Sequence, residues 1–106
     1  MTGRHPALPR LRYREGGREL QYTHIVTLVG RVIAVDTDWV SIHQGRRRVT
    51  QLALEDLATV LGGRDMAFGL MLDAAKQNDL IRVGLTPQRI TYENSAQYQR
   101  FLDAPD

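Results

Sequence analysis

With 106 residues, 42% of them hydrophobic and 25% charged, and a net charge of +2, the chain has the size and composition of one soluble globular domain. No apolar run approaches the roughly 20 residues of a membrane helix, and the first residues lack the apolar stretch of a secretory signal, so no membrane association is expected. Zero cysteines exclude disulfides and thiolate metal sites and fit a reducing, cytoplasmic location.

The modest net charge conceals a gradient. Residues 1–50 hold nine arginines against four acids, a net +5, whereas residues 51–106 hold five bases against eight acids, a net −3. Such a chain can turn its basic half toward a polyanion and keep the acidic half away.

In chain order, residues 1–9 carry two prolines and a glycine without apolar period and read as a flexible arm, leaving 10–106 as a single domain. Leu11, Tyr13, Leu20 and Tyr22 alternate with charged residues on either side of Gly16-Gly17. That pattern predicts an antiparallel hairpin of 10–15 with 18–23, the two glycines supplying the positive φ of a tight turn. Residues 25–35 are rich in β-branched side chains and predict one long strand bent at Gly30. Asp36-Thr37-Asp38 is a polar turn, and 39–43 and 46–52 are strands around Gln44-Gly45. Leu54, Leu57, Ala58 and Leu61 then fall on one helical face, with Gly62-Gly63 as the stop.

A second helix is expected from Asp65, as its cap, to Gln77, with Asn78 as a left-handed stop. Residues 80–85 and 89–92 predict another hairpin, and Asn94 or Ser95 caps a last helix whose Tyr98, Phe101 and Leu102 share a face. The predicted fold class is α+β: a curled antiparallel sheet or small partial barrel of about five strands, then two helices, a hairpin and a terminal helix. The order of 53–93 also matches a winged helix, but 65–77 offers two acids and an apolar stretch where a recognition helix needs basic residues.

Catalytic signatures are absent from the sequence. His5, His24 and His43 have no metal-ligand spacing, and Ser41, Asp36 and the histidines accompany no nucleophile elbow. Gly62-Gly63-Arg64 lacks the lysine of a phosphate loop, and Asp36-Thr37-Asp38 lacks the glycine and distal glutamate of a calcium loop. No catalytic residue, metal or cofactor is therefore expected, and the chain reads as a non-enzyme.

Arginine rows carry the functional expectation instead. On alternating strands Arg10, Arg12 and Arg14 share one face, and Arg46 and Arg48 share another with Arg47 opposite. Tyr22 and Trp39 are candidate stacking surfaces for unpaired bases beside them. The expected activity is that of a nucleic-acid-binding regulator or accessory protein. The alternatives are an assembly module whose basic face meets an acidic partner, and a small-ligand sensor. Met66, Phe68, Leu70, Met71 and Leu72 form an apolar collar on the second helix that predicts a homodimer contact.

Residues 10–57 carry a resemblance. Leu11-Arg12-Tyr13-Arg14-Glu15-Gly16-Gly17-Arg18 opening a hairpin and Trp39 starting a later strand resemble the small SH3-type barrel of WYL domains; Leu54-Glu55-Asp56-Leu57 matches that family's closing segment in pattern only, and Trp39-Val40-Ser41 replaces its Trp-Tyr-Leu tripeptide. Ala53 and Asp56 stand where that family has basic residues. The stretch from Gly30-Arg31-Val32 to Asp36 is similar to the corresponding strand of Sm-like RNA-binding barrels. The resemblance implies a small barrel associated with nucleic acid or a nucleotide ligand.

Overall fold

A computed structural model describes residues 12–15, 18–21, 26–45, 48–86 and 89–104. Seven strands and three helices follow one another as β1 (Arg12–Glu15), β2 (Arg18–Gln21), β3 (Val26–Val35), β4 (Trp39–His43), β5 (Val49–Ala53), α1 (Leu54–Ala58), α2 (Arg64–Gln77), β6 (Leu80–Leu85), β7 (Ile90–Glu93) and α3 (Ser95–Asp103). All seven strands join one antiparallel sheet in the order β2-β1-β5-β4-β3-β6-β7. The α+β class is therefore as expected, with an open sheet.

The second hairpin is not a separate unit. β6 pairs with β3 along six register positions, from Val26 opposite Leu85 to Arg31 opposite Leu80. That pairing extends the five-stranded sheet by two and removes the winged-helix arrangement, because 53–93 has no core apart from the sheet.

Period-two alternation decides which face is buried. Val40 and Ile42 of β4, Leu52 of β5, Leu28 and Val32 of β3, and Ile81, Val83 and Leu85 of β6 point into one core. Leu54 and Leu57 of α1 and Ala67, Met71 and Ala74 of α2 close it from above. In α2 the buried positions lie at i, i+4 and i+7, two alanines flanking one methionine, so the helix lies close on the sheet along a narrow seam.

Several local expectations are corrected by tertiary geometry. The bulge in β3 falls between Val32 and Ala34, not at Gly30. Gly30 is required for a different reason: a Cβ there would stand 2.5 Å from the His43 carbonyl oxygen and 2.7 Å from Ile42 Cγ2. Helix α1 stops at Ala58, where the Thr59 hydroxyl donates to the Asp56 carbonyl at 2.7 Å. Helix α2 starts from Gly63, whose φ of 104° suits only glycine, and Asp65 sits inside the first turn as a dipole-compensating acid, not as the cap. Asn78 does end α2 in the left-handed conformation, and the Asn94 side chain does cap α3 by accepting from the Gln97 amide at 3.0 Å.

Candidate nucleic-acid interface

Helices cover one face of the sheet; the opposite face is the candidate surface. The register assembles it from residues far apart in sequence. Arg14 lies opposite Gln51, which lies opposite Ser41, and Gln51 Nε2 donates to the Ser41 hydroxyl at 3.0 Å. Trp39 lies opposite the fully buried Ala53. Farther across the sheet Arg31 lies between His43 and Leu80, and Arg82 lies between Val29 and Glu93.

At one end of this face the Arg14 guanidinium sits 4.6 Å from the centroid of the Trp39 ring, both side chains half-buried. The contact is a diagonal one across β5, made possible by the small Ala53 opposite Trp39. A guanidinium over an indole stabilises by roughly 0.5–1 kcal/mol at exposed sites and holds both groups as one rigid platform. The turn before Trp39 is built for this. Asp36 Oδ1 accepts from the backbone amides of Asp38 at 2.8 Å and Trp39 at 2.7 Å, and these two N–H groups hold its carboxyl below the usual carboxylate range. Asp36-Thr37-Asp38 is thus an Asx turn.

At the other end the face opens into a groove of about 580 Å³ where the α2–β6 and β7–α3 connections meet. Its walls include Val29 and Leu80, exposed and apolar, with Arg31, Arg82 and Glu93 around them. Arg31 Nη1 donates to the Asn78 carbonyl oxygen at 3.0 Å, which fixes that side chain against the end of α2.

Of the residues expected to bind, Arg14 and Trp39 are brought together, and Arg48 is exposed at the mouth of β5. Arg48 shares the β4–β5 turn with Gly45, whose carbonyl accepts from the Arg48 amide at 2.9 Å. The Arg12 backbone pairs opposite Gln21, two positions from Arg14 and on the same strand parity. Arg10, Tyr22, Arg46 and Arg47 lie outside the described residues. Arg31 and Arg82 were not legible as site residues: the β3–β4 register sets Arg31 opposite His43, on the face of Trp39, and the β3–β6 pairing brings Arg82 to the same face.

The apolar collar is divided by the fold. Met71 is 0% exposed and belongs to the core of its own chain, so it is no contact residue. Phe68 and Leu70 are half-buried against the core, and only Met66 and Leu72 are exposed. The larger exposed apolar surface lies on α3, where Tyr98, Phe101 and Leu102 are 66%, 56% and 61% exposed.

A second cluster joins α2, β6, β7 and α3. Arg100 grips Asp79 with two bonds of 2.8 Å and reaches Asp73 at 2.6 Å. Asn94 Nδ2 donates to Asp79 and to the Tyr92 hydroxyl, each at 2.9 Å, and that hydroxyl donates to Gln97 at 2.9 Å. Gln97 in turn donates to Asp73 and to the Leu70 carbonyl, both at 2.9 Å. Donation from Gln97, then Arg100, holds the Asp73 carboxyl below its usual range; Arg100, then Asn94, does so for Asp79 against the effect of burial. Burial pushes the Tyr92 phenol up to about 12. Each polar group here already has a protein partner, so the cluster docks α3. Among the described residues no three His, Asp or Glu side chains converge to hold a metal ion, and no helix is long and apolar enough to cross a membrane.

Comparisons of the chain with protein families, with curated proteins and with solved structures found no match.

Proposed function

We propose that the protein is a non-enzymatic nucleic-acid-binding regulator or accessory factor, acting in the cytoplasm, and that the helix-free sheet face is its contact surface. The Arg14 guanidinium stacked on Trp39 carries this reading. An indole held flat by a cation offers a π-face to a base and a positive charge to the adjoining phosphate. Arg31, Arg48 and Arg82, all exposed, extend the positive charge, and arginine is suited to phosphate because its planar fork can donate two bonds at once.

Fluorescence anisotropy with end-labelled oligonucleotides tests the reading. At about 50 mM salt the protein should bind, and each phosphate contact should steepen the log–log salt dependence by roughly 0.7–0.9 units. Arg14→Ala should weaken binding and flatten that slope by about one unit. Undetectable binding to DNA and RNA alike at low salt refutes the proposal.

The uncovered apolar face of α3 favours a second reading, an assembly module that pairs with a second copy or another protein. Light scattering at tens of micromolar protein separates the two: a dimer that dissociates on Phe101→Asp, without nucleic-acid binding, selects the assembly module. The WYL-like and Sm-like resemblance agrees with the first reading and says nothing of α3, which lies beyond residues 10–57.

A further inference from the structure

We propose that the groove beside Val29 and Leu80 is a subsite for one unpaired nucleotide, so that the sheet face selects single strands over duplex. The inference rests on the nucleic-acid reading above and goes beyond it by naming the substrate class.

Shape is the first argument. A duplex meets a protein with a convex rail of phosphates and keeps its bases stacked inside, so a concave apolar recess gains nothing from it. The groove holds about 580 Å³, within the roughly 300–1,000 Å³ of small-molecule sites, and so admits a single base with its sugar. Its exposed apolar walls, Val29 at 45% and Leu80 at 51%, lie on neighbouring strands and would lose water to a planar ring laid against them.

Charge is the second. Arg31 and Arg82 sit one rung apart on β3 and β6, on either side of the Val29–Leu80 diagonal. Arg31 engages one N–H with the Asn78 carbonyl, which holds the guanidinium in the groove lining, and a guanidinium has five N–H donors. Two guanidiniums beside an apolar wall suit a phosphate attached to a base. Two acids line the groove: Asp79, held by Arg100 and Asn94, and Glu93, opposite Arg82 on the same side of the sheet. Glu93 repels a phosphate at its own position but accepts from the amino group of a base, so it sets the base toward β7 and the phosphate toward β3.

Position is the third. From Trp39 to the groove the path crosses two strand spacings and four residues along the strand, roughly 16 Å, a reach that a strand of a few nucleotides spans. One base on Trp39 and another in the groove require that the intervening bases be unpaired. Trp39 is also the sole tryptophan, so its fluorescence reports on one end of the path without labelling.

The test compares a twelve-nucleotide single strand with a hairpin duplex of the same phosphate count, read by anisotropy and by Trp39 quenching. Expected are tighter binding of the single strand by about tenfold, and Trp39 quenching by the single strand only. Leu80→Ser should then reduce single-strand affinity by about tenfold and leave duplex affinity unchanged. Val29→Ser serves in its place if thermal melting shows that Leu80→Ser has lost the fold. Equal binding of both forms, or a serine variant that binds the single strand as the wild type does, overturns the subsite while the nucleic-acid reading stands. Binding of neither form overturns both.

Discussion

Replacing Asp79 with alanine removes the centre of the cluster that fastens α3. The carboxylate is 4% exposed and accepts three hydrogen bonds: two from Arg100 at 2.8 Å and one from Asn94 at 2.9 Å. Each bond to a charged group contributes roughly 1.5–3 kcal/mol when one partner is deleted, but the three are coupled and do not add. Two effects reduce the loss, because Arg100 keeps Asp73 and Asn94 keeps the Tyr92 hydroxyl. A third offsets it further, since a buried carboxylate no longer has to be desolvated. We expect a net loss of about 2–3 kcal/mol, read in urea unfolding as a lower midpoint at unchanged slope. For a domain of this size that is a fall in Tm of roughly 8–20 °C. Asp79→Asn keeps the shape and one acceptor oxygen and should cost less. The pH dependence supplies an independent check. Arg100 holds the Asp79 carboxyl below its ordinary value of 3.8, so its contribution is complete above that pH and is lost as pH falls toward the lower folded value. The gap between wild type and Asp79→Ala should therefore narrow below about pH 4. A loss under about 0.5 kcal/mol, or a gap that does not narrow at all as pH falls below about 4, would show that α3 is held by something else.

Three further outcomes follow from the packing. Gly30→Ala forces a methyl group against the His43 carbonyl and should destabilise by about 1–3 kcal/mol in chemical denaturation, although alanine suits a strand better than glycine. Met71→Ala should cost about 2–5 kcal/mol without changing the mass seen by light scattering, whereas Met66→Ser, on an exposed side chain, should be near neutral. Because burial pushes Tyr92 up to about 12, its absorbance should titrate later than that of exposed tyrosines. Its raised value gives stability that is complete below pH 10 and is lost as pH rises from 10 toward 12; early titration of all four tyrosines in the folded protein would contradict the burial.

Local chemistry alone determined much of the outline. β-branched alternation marks β3, β4 and β5, the hydrophobic spacing of Leu54, Leu57 and Ala58 marks α1, and Asn78 and Asn94 mark helix ends, because each of these signals acts through neighbours within a few residues. What tertiary structure alone decided is which distant pieces meet. Pairing of β3 with β6 is a choice among strand edges that no local pattern specifies, and it carries Arg82 and Leu80 to the face that Arg31 already shares with Trp39 through β4, and so forms the groove. The same holds for α2, where residues 66–72 are apolar on several sides and only the seat of Ala67, Met71 and Ala74 on the sheet separates core from surface. It holds again for Asp73, Asp79 and Arg100, ordinary surface residues by type, which become one half-buried cluster around the buried Asp79 because α3 folds back across the end of α2. Hydrophobic burial is non-directional and satisfied by many arrangements; register, glycine clearance and paired charges select one, and those are properties of the assembled chain.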